Sequence, residues 1–174
     1  MASWRGVVAA SPQLAGAVRA RFDAHGLGLL ATVRRAGSPR ISGIEPLFTD
    51  DELWFGMMLK SLKALDLLRD ARFALHSATA DKQVSEGDAK LGGRAVPVEG
   101  AKAVAAFRHE FEAATGSAPP PGPFHLFRAD VTEMSLLGAA GDHLNIDVWR
   151  EGARGASNAF SRLLRQPFDC SYVQ

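Results

Sequence analysis

Residues 54–75, WFGMMLKSLKALDLLRDARFAL, read as a strand, a short helix and a second strand. Lys60, Ser61 and Lys63 fall at the strand-to-helix junction. The first turn of a helix has unpaired backbone N–H groups and a partial positive charge. Two ammonium groups and a hydroxyl placed there make a seat for a phosphate. The other reading of the same residues is a pair of solvated lysines flanking a core helix. Leu62, Leu65 and Leu68 lie on one side of the helix, with Lys63, Asp66 and Arg69 elsewhere, so it is expected to pack its leucines down on a sheet.

Upstream, Leu27 to Val33 and Arg40 to Phe48 are apolar runs separated by the turn chemistry of Arg35-Ala36-Gly37-Ser38-Pro39. Leu53 to Met58 follows after Thr49-Asp50-Asp51-Glu52. Connections this short predict an antiparallel meander of three strands. Gly43 and Gly56 sit inside strands, where bare backbone lets a flat ligand approach. Ser11-Pro12 opens a helix that ends at Gly26, with Leu14, Val18 and Phe22 recurring along it, and residues 1–10 read as a loose lead-in.

Downstream, Arg72 to Ala80 and Asp88 to Val98 read as further strands. A helix spans Gly100 to Gly116, and the rigid loop SAPPPGP covers 117–123. Phe107 and Phe111 have the spacing of core contacts. Strands over Phe124 to Leu137 and Asp142 to Arg150 complete the pattern, and the tail carries a short apolar run, Ala159, Phe160, Leu163 and Leu164, that reads as a terminal helix or a mobile segment. The order implies one domain: an antiparallel split barrel with helices over its ends, formed by an N-terminal extension (1–26), a barrel core (27–150) and a C-terminal tail (151–174).

Of 174 residues, 47% are hydrophobic and 22% charged, and the formal net charge is +1. That balance gives no electrostatic basis for nucleic-acid binding. No apolar run approaches a membrane span. The single cysteine, Cys170, excludes a disulfide within the chain and points to a reducing cytoplasm. The five histidines show no metal-ligand spacing, so no metal is expected. Nucleophile-elbow, P-loop, zincin and dinucleotide motifs are absent. What remains is a site for a flat, phosphate-bearing ligand, with Arg40, Ser42 and Gly43 on one strand, Gly56 on another, and Lys60, Ser61 and Lys63 at the helix start.

These residues resemble the FMN-binding split-barrel proteins, the pyridoxamine 5′-phosphate oxidase-like family with its flavin and deazaflavin oxidoreductase relatives. Arg40-Ile41-Ser42-Gly43-Ile44 is similar to the family's R-x-V-L-L segment. Ser61-Leu62-Lys63 matches S-R-K with leucine for the central arginine. Asp70 to Leu75 resembles N-P-x-V-A-L, and Asp88 to Gly93 resembles Q-V-R-x-x-G. Leu144 to Gly152 is similar to the L-x-I-x-x-W-x-x-G ending of the oxidoreductases, while the W-x-x-x-R-L-x-P ending of the true oxidases is absent.

The resemblance implies an FMN-dependent oxidoreductase acting on a small molecule. It implies a homodimer with cofactor sites at the subunit interface. Its cofactor set would be Arg40, Ile41, Ser42, Gly43, Gly56, Met57, Lys60, Ser61, Lys63, Lys90 and Trp149, with no catalytic side chain assigned. One alternative is the deazaflavin coenzyme F-420, whose polyglutamate tail calls for a basic groove to which Lys90 and Arg94 would contribute. Another is a non-enzymatic flavin- or haem-binding protein, with His76 or His125 as the haem ligand.

Overall fold

A computed structural model describes residues 2–79, 81, 84–119, 121–140, 143–153 and 158–160. Among these, four helices and nine strands follow in order. They are α1 (Trp4–Ala10), α2 (Pro12–Asp23), β1 (Gly28–Val33), β2 (Pro39–Ile44), β3 (Leu47–Phe48), β4 (Leu53–Met58) and α3 (Leu62–Arg69). Then come β5 (Arg72–Ser77), β6 (Asp88–Pro97), α4 (Ala101–Thr115), β7 (Phe124–Ala140), β8 (His143–Arg150) and β9 (Asn158–Phe160). All strand pairs are antiparallel, and the sheet runs β2-β1-β5-β6-β7-β4-β3.

Only Glu45 and Pro46 separate β2 from β3, yet these strands occupy opposite ends of that path. The three Cα steps from Ile44 to Leu47 reach at most roughly 11 Å. The two edges must therefore come together, and the sheet curls into a barrel with its seam at Glu45-Pro46. The seam corrects the expected three-strand meander. The predicted strand from Arg40 to Phe48 is broken at the proline, and β2 pairs with β1 while β4 pairs with β3 and β7. β7 supplies the split. One of its edges follows β6 from Phe127 to Leu137, and the other pairs first with β4 and then, from Glu133, with β8.

The register of β6 on β7 slips between Gly92 and Gly93. A Cβ on Gly93 would stand 2.1 Å from the Asp130 carbonyl oxygen, so only glycine fits this bulge. The bulge gives this part of the chain a backbone reason for its glycines.

The barrel interior is filled by alternate residues, including Leu30, Phe55, Phe73, Leu75, Leu91, Phe127 and Met134. α2 reaches β1 at Gly28, whose Cβ position lies 3.3 Å from the Phe22 ring. α3 reaches the same strand at Thr32 and Val33, so the two helices close opposite ends. The lead-in expected over residues 1–10 is instead α1, capped by Ser3, with Trp4 and Val7 fully inside the core. The Trp4 ring meets Phe48 edge-on at 4.8 Å. The apolar spacing of Trp4, Val7 and Val8 is too brief to be told from a loop until the barrel end it covers is known.

α3 departs most from expectation. Its inward face is Ala64, Asp66 and Leu67, while Leu62, Leu65 and Leu68 are 60%, 44% and 47% exposed. The helix docks through charge. The Asp66 carboxylate, 4% exposed, accepts from Arg40 Nε at 2.7 Å, from Thr32 Oγ1 at 3.0 Å and from Arg69 Nη1 at 3.4 Å. Burial alone would raise the Asp66 carboxyl. The hydrogen bonds and charge of Arg40, with those of Thr32 and Arg69, outweigh burial and hold it below its ordinary value.

In the tail, Ala159 and Phe160 belong to β9, which pairs with β8, rather than to a helix. Leu163, Leu164 and Cys170 lie outside the described residues.

Truncating Trp4 to alanine is expected to cost about 3–5 kcal/mol in urea unfolding, as for a large buried ring; a change below about 0.5 kcal/mol would fit a loose lead-in instead. Asp66→Asn should cost about 3 kcal/mol at neutral pH, because it leaves the partly buried Arg40 without its carboxylate partner. Since the folded-state Asp66 pKa is depressed, its contribution is complete above the ordinary carboxylate value of 3.8 and is lost as pH falls through the lowered one. Acid titrations of stability should therefore be flatter for Asp66→Asn than for the wild type; identical acid limbs would remove Asp66 from the account.

Candidate functional site

At the seam of the barrel lies a cavity of about 570 Å³. Its walls come from the end of β2 (Gly43, Ile44), Glu45, Leu47, the end of β4 with Leu59, the start of α3 (Ser61, Lys63), α4 (Phe107, Phe111), and the segment from Pro119 to Phe124. The sequence explains the opening. β2 has a free edge beyond Gly43, Pro46 offers no N–H to pair it, and β4 carries Gly56 where its outward side chain would fall. A Cβ on Gly56 would sit 3.7 Å from the Phe107 ring, and one on Gly43 would meet nothing within 4 Å.

The α3 end of this cavity holds its polar groups. Met58 and Ser61 close a turn through a 3.1 Å backbone hydrogen bond, with Lys60 in the left-handed region at φ 60°. That conformation is uncommon for a residue with a side chain. It sets Ser61 as the N-cap of α3, but the hydroxyl makes no capping bond. Ser61 Oγ is shielded from solvent and has no hydrogen-bond partner among the described residues. A buried hydroxyl left this way costs free energy that a ligand could recover. Lys63 Nζ donates to the Gly43 carbonyl at 2.5 Å. Burial pushes the Lys63 ammonium down from its usual value, and the Glu45 carboxylate opposes that shift.

Of the residues expected at a cofactor site, the cavity brings together Gly43, Gly56, Met57, Ser61 and Lys63. Lys60 is exposed beside it on the turn. Arg40 lies on the inner face of β2 and is engaged by Asp66. Ser42, half-buried, sits opposite Leu30, and Ile41 points outward at 71% exposure. Lys90 is exposed on β6 opposite His76 and Ser135, and Arg94 stands opposite Arg72 and Asp130. Trp149, on β8 opposite Met134, packs on the main core. None of Lys90, Arg94 and Trp149 borders the cavity.

The two histidines considered for haem are also apart from it. His76 Nδ1 lies 2.7 Å from the Ser77 carbonyl, with Nε2 4.0 Å from Asp88. His125 stands opposite Met57, its Nε2 buried without a partner among the described residues. No group of three or more metal-ligating side chains occurs among the described residues.

Sequence reasoning missed Phe111, Phe124 and the prolines as cavity walls. Phe107 is a core contact as expected, in a cluster with Trp54 and Leu126, but its edge also faces the cavity. The available signal was the rigid proline run directly after a helix bearing phenylalanines four apart.

Comparison with known proteins places this geometry in a family. A search of curated proteins finds no match. Among solved structures, PhzG from Burkholderia lata, crystallised with tetrahydrophenazine-1-carboxylic acid, superposes with a TM-score of 0.60 at 18% identity, over 83% of this chain and 89% of that one. A haem-binding protein from Mycobacterium smegmatis gives 0.59 at 20% identity, over 77% and 57%. General Stress Protein 26 from Bacillus anthracis gives 0.53 at 15% identity, over 70% and 91%. At these identities the likeness is one of fold. The family model for pyridoxamine 5′-phosphate oxidase matches residues 14–138, a span that includes β1 to β7 almost entirely and the whole polar end of the cavity, and the chain therefore belongs to the pyridoxamine 5′-phosphate oxidase-like family.

Proposed function

We propose that this protein binds FMN at the α3 end of the seam cavity and works as a homodimeric oxidoreductase on a small molecule. The observation that carries the reading is the unpartnered Ser61 hydroxyl beside Lys63 and the first-turn N–H groups of α3. Ser61, Lys63 and the nearby Lys60 would hold the phosphate, as charge-assisted bonds at a helix start favour. Gly43, where a side chain would meet nothing within 4 Å, would let the ring lie close to backbone. Bound flavin supplies hydride acceptance and donation at its N5 atom; the chain binds it, orients it and excludes water from it. Arg40 contributes by fixing Asp66, and with it the angle at which α3 presents its first turn.

The coenzyme F-420 alternative relied on a basic groove from Lys90 and Arg94. Those residues lie on β6, outside the cavity lining, so no such groove adjoins the phosphate seat among the described lining residues.

The homodimer reading rests on apolar surface. Ile41 at 71%, Met58 at 80%, and Leu62, Leu65 and Leu68 of α3 face solvent, and Met58 also lines the cavity. Exposed apolar rows next to a binding cavity mark a surface that associates. A second copy would bury these residues and complete the walls of the site.

FMN titration followed by flavin fluorescence should give saturable binding, and Lys63→Ala should weaken it about tenfold or more, the loss typical of one charge-assisted hydrogen bond. Because Lys63 is held below its ordinary pKa, affinity should fall as pH rises through that lowered value. Absence of binding at any pH would sink the flavin reading. Light scattering should report a dimer for the wild type and a monomer for Leu65→Glu; a monomeric wild type would contradict the assembly.

A further inference from the structure

The cavity has two chemically distinct ends, and only the α3 end is needed for a phosphate. The other is walled by Phe107 and Phe111 of α4, Phe124 of β7, and the prolines at 119, 121 and 123. Among the described lining residues the only charged side chains are Glu45 and Lys63, both at the seam and α3 end. The charged groups of α4 nearest the aromatic wall are engaged within the fold. Arg108 lies 5.2 Å over the Phe124 ring and donates to the Gly122 carbonyl at 3.3 Å. Glu110 accepts from Trp54 Nε1 at 3.0 Å. Both contacts hold the proline segment and α4 in place.

The aromatic walls also brace one another. Phe107 contacts Trp54, Phe111 and Phe124 at ring separations of 5.7, 5.8 and 5.7 Å. Prolines at 119, 121 and 123 have fixed φ, so this side of the cavity is shaped before any ligand arrives. A charged group entering it would lose hydration, and the nearest charges, Arg108 and Glu110, are already engaged by Phe124, Gly122 and Trp54 and do not line the cavity. A flat ring would meet three phenylalanine faces or edges at little ordering cost.

We infer that the Phe107–Phe111–Phe124 end of the cavity is a binding subsite for an uncharged planar aromatic ring, and that it selects the substrate of this protein against phosphorylated or otherwise ionic small molecules. As a substrate subsite this rests on the flavin reading above; as a binding site for an aromatic ring it does not. The selection follows from desolvation. Ionic groups are disfavoured because no charged side chain lines this end among the described residues, while bicyclic or tricyclic neutral rings gain from apolar burial.

Calorimetric titration of the full chain, with and without FMN, tests this using 2-naphthamide as the neutral probe and 2-naphthyl phosphate as its dianionic counterpart. Naphthamide should bind in both conditions, and Phe111→Ser should weaken it about tenfold or more, with FMN affinity unchanged within about threefold. Phe111→Leu, which keeps apolar bulk and loses the ring, should fall between them and serves if the serine variant does not fold. In the presence of FMN, naphthyl phosphate should bind more weakly than naphthamide. Naphthamide that fails to bind, or that binds Phe111→Leu and the wild type equally, overturns the inference. So does naphthyl phosphate binding more tightly than naphthamide to the FMN-loaded protein. Phe111-dependent naphthamide binding without any FMN binding would leave the subsite standing and remove the flavin reading alone.

Discussion

Glu45 and Pro46 join two strands that lie at opposite ends of a seven-strand path, and the chain cannot satisfy that link unless the sheet closes. Closure gives the barrel its interior and brings its two unpaired edges, β2 and β3, to one seam. It also leaves a seam, because Pro46 cannot donate to a neighbouring strand and β2 gives way to β3 there. The cavity sits at this seam. The fold and the candidate site therefore share one cause, and the residues nearest the seam, Gly43, Ile44, Glu45 and Leu47, belong to both.

A second constraint fixes the helix that faces the cavity. α3 packs on the barrel through a buried carboxylate set between Ala64 and Leu67, and not through the row Leu62, Leu65 and Leu68. Asp66 gathers Thr32 from β1, Arg40 from β2 and Arg69 from its own last turn. Buried ion pairs of this kind contribute little net stability over an apolar contact but are costly to break, and their geometry admits few alternatives. The consequence is an oriented helix whose first turn reaches the cavity and whose apolar row is turned outward. Arg40 and Arg69 both pair with Asp66, while Lys63 lines the cavity with Glu45 and Lys60 stands beside it.

Much of the architecture was legible in the sequence. The helix over Pro12 to Asp23 followed from Ser11-Pro12, and the antiparallel pairing followed from short connections and turn residues, whereas the order of strands in the sheet did not, because the break at Pro46 parts the expected meander. The glycines at 43 and 56 and the Ser61–Lys63 pair fall on one cavity, as their sequence context suggested. The rest was hidden for physical reasons. Periodicity told that α3 has an apolar row but not whether a carboxylate among the leucines would be buried against an arginine 26 positions away. Apolar spacing could not separate Trp4 and Val7 from a loop, because their burial depends on a barrel end assembled from later strands. Nor could it show that Phe111 borders a cavity, since a phenylalanine packed on a sheet and one facing a pocket obey the same helical spacing.

The central claim is that one locus, the first turn of α3 with the facing backbone of Gly43 and Gly56, receives the cofactor. Amide hydrogen exchange with and without FMN tests it most directly, because it reads the backbone at that locus without relying on turnover. The account predicts that FMN slows exchange in peptides covering 41–47 and 56–66, with β6 around Lys90 unchanged. Protection confined to β6 and β8, with none at the start of α3, would contradict it.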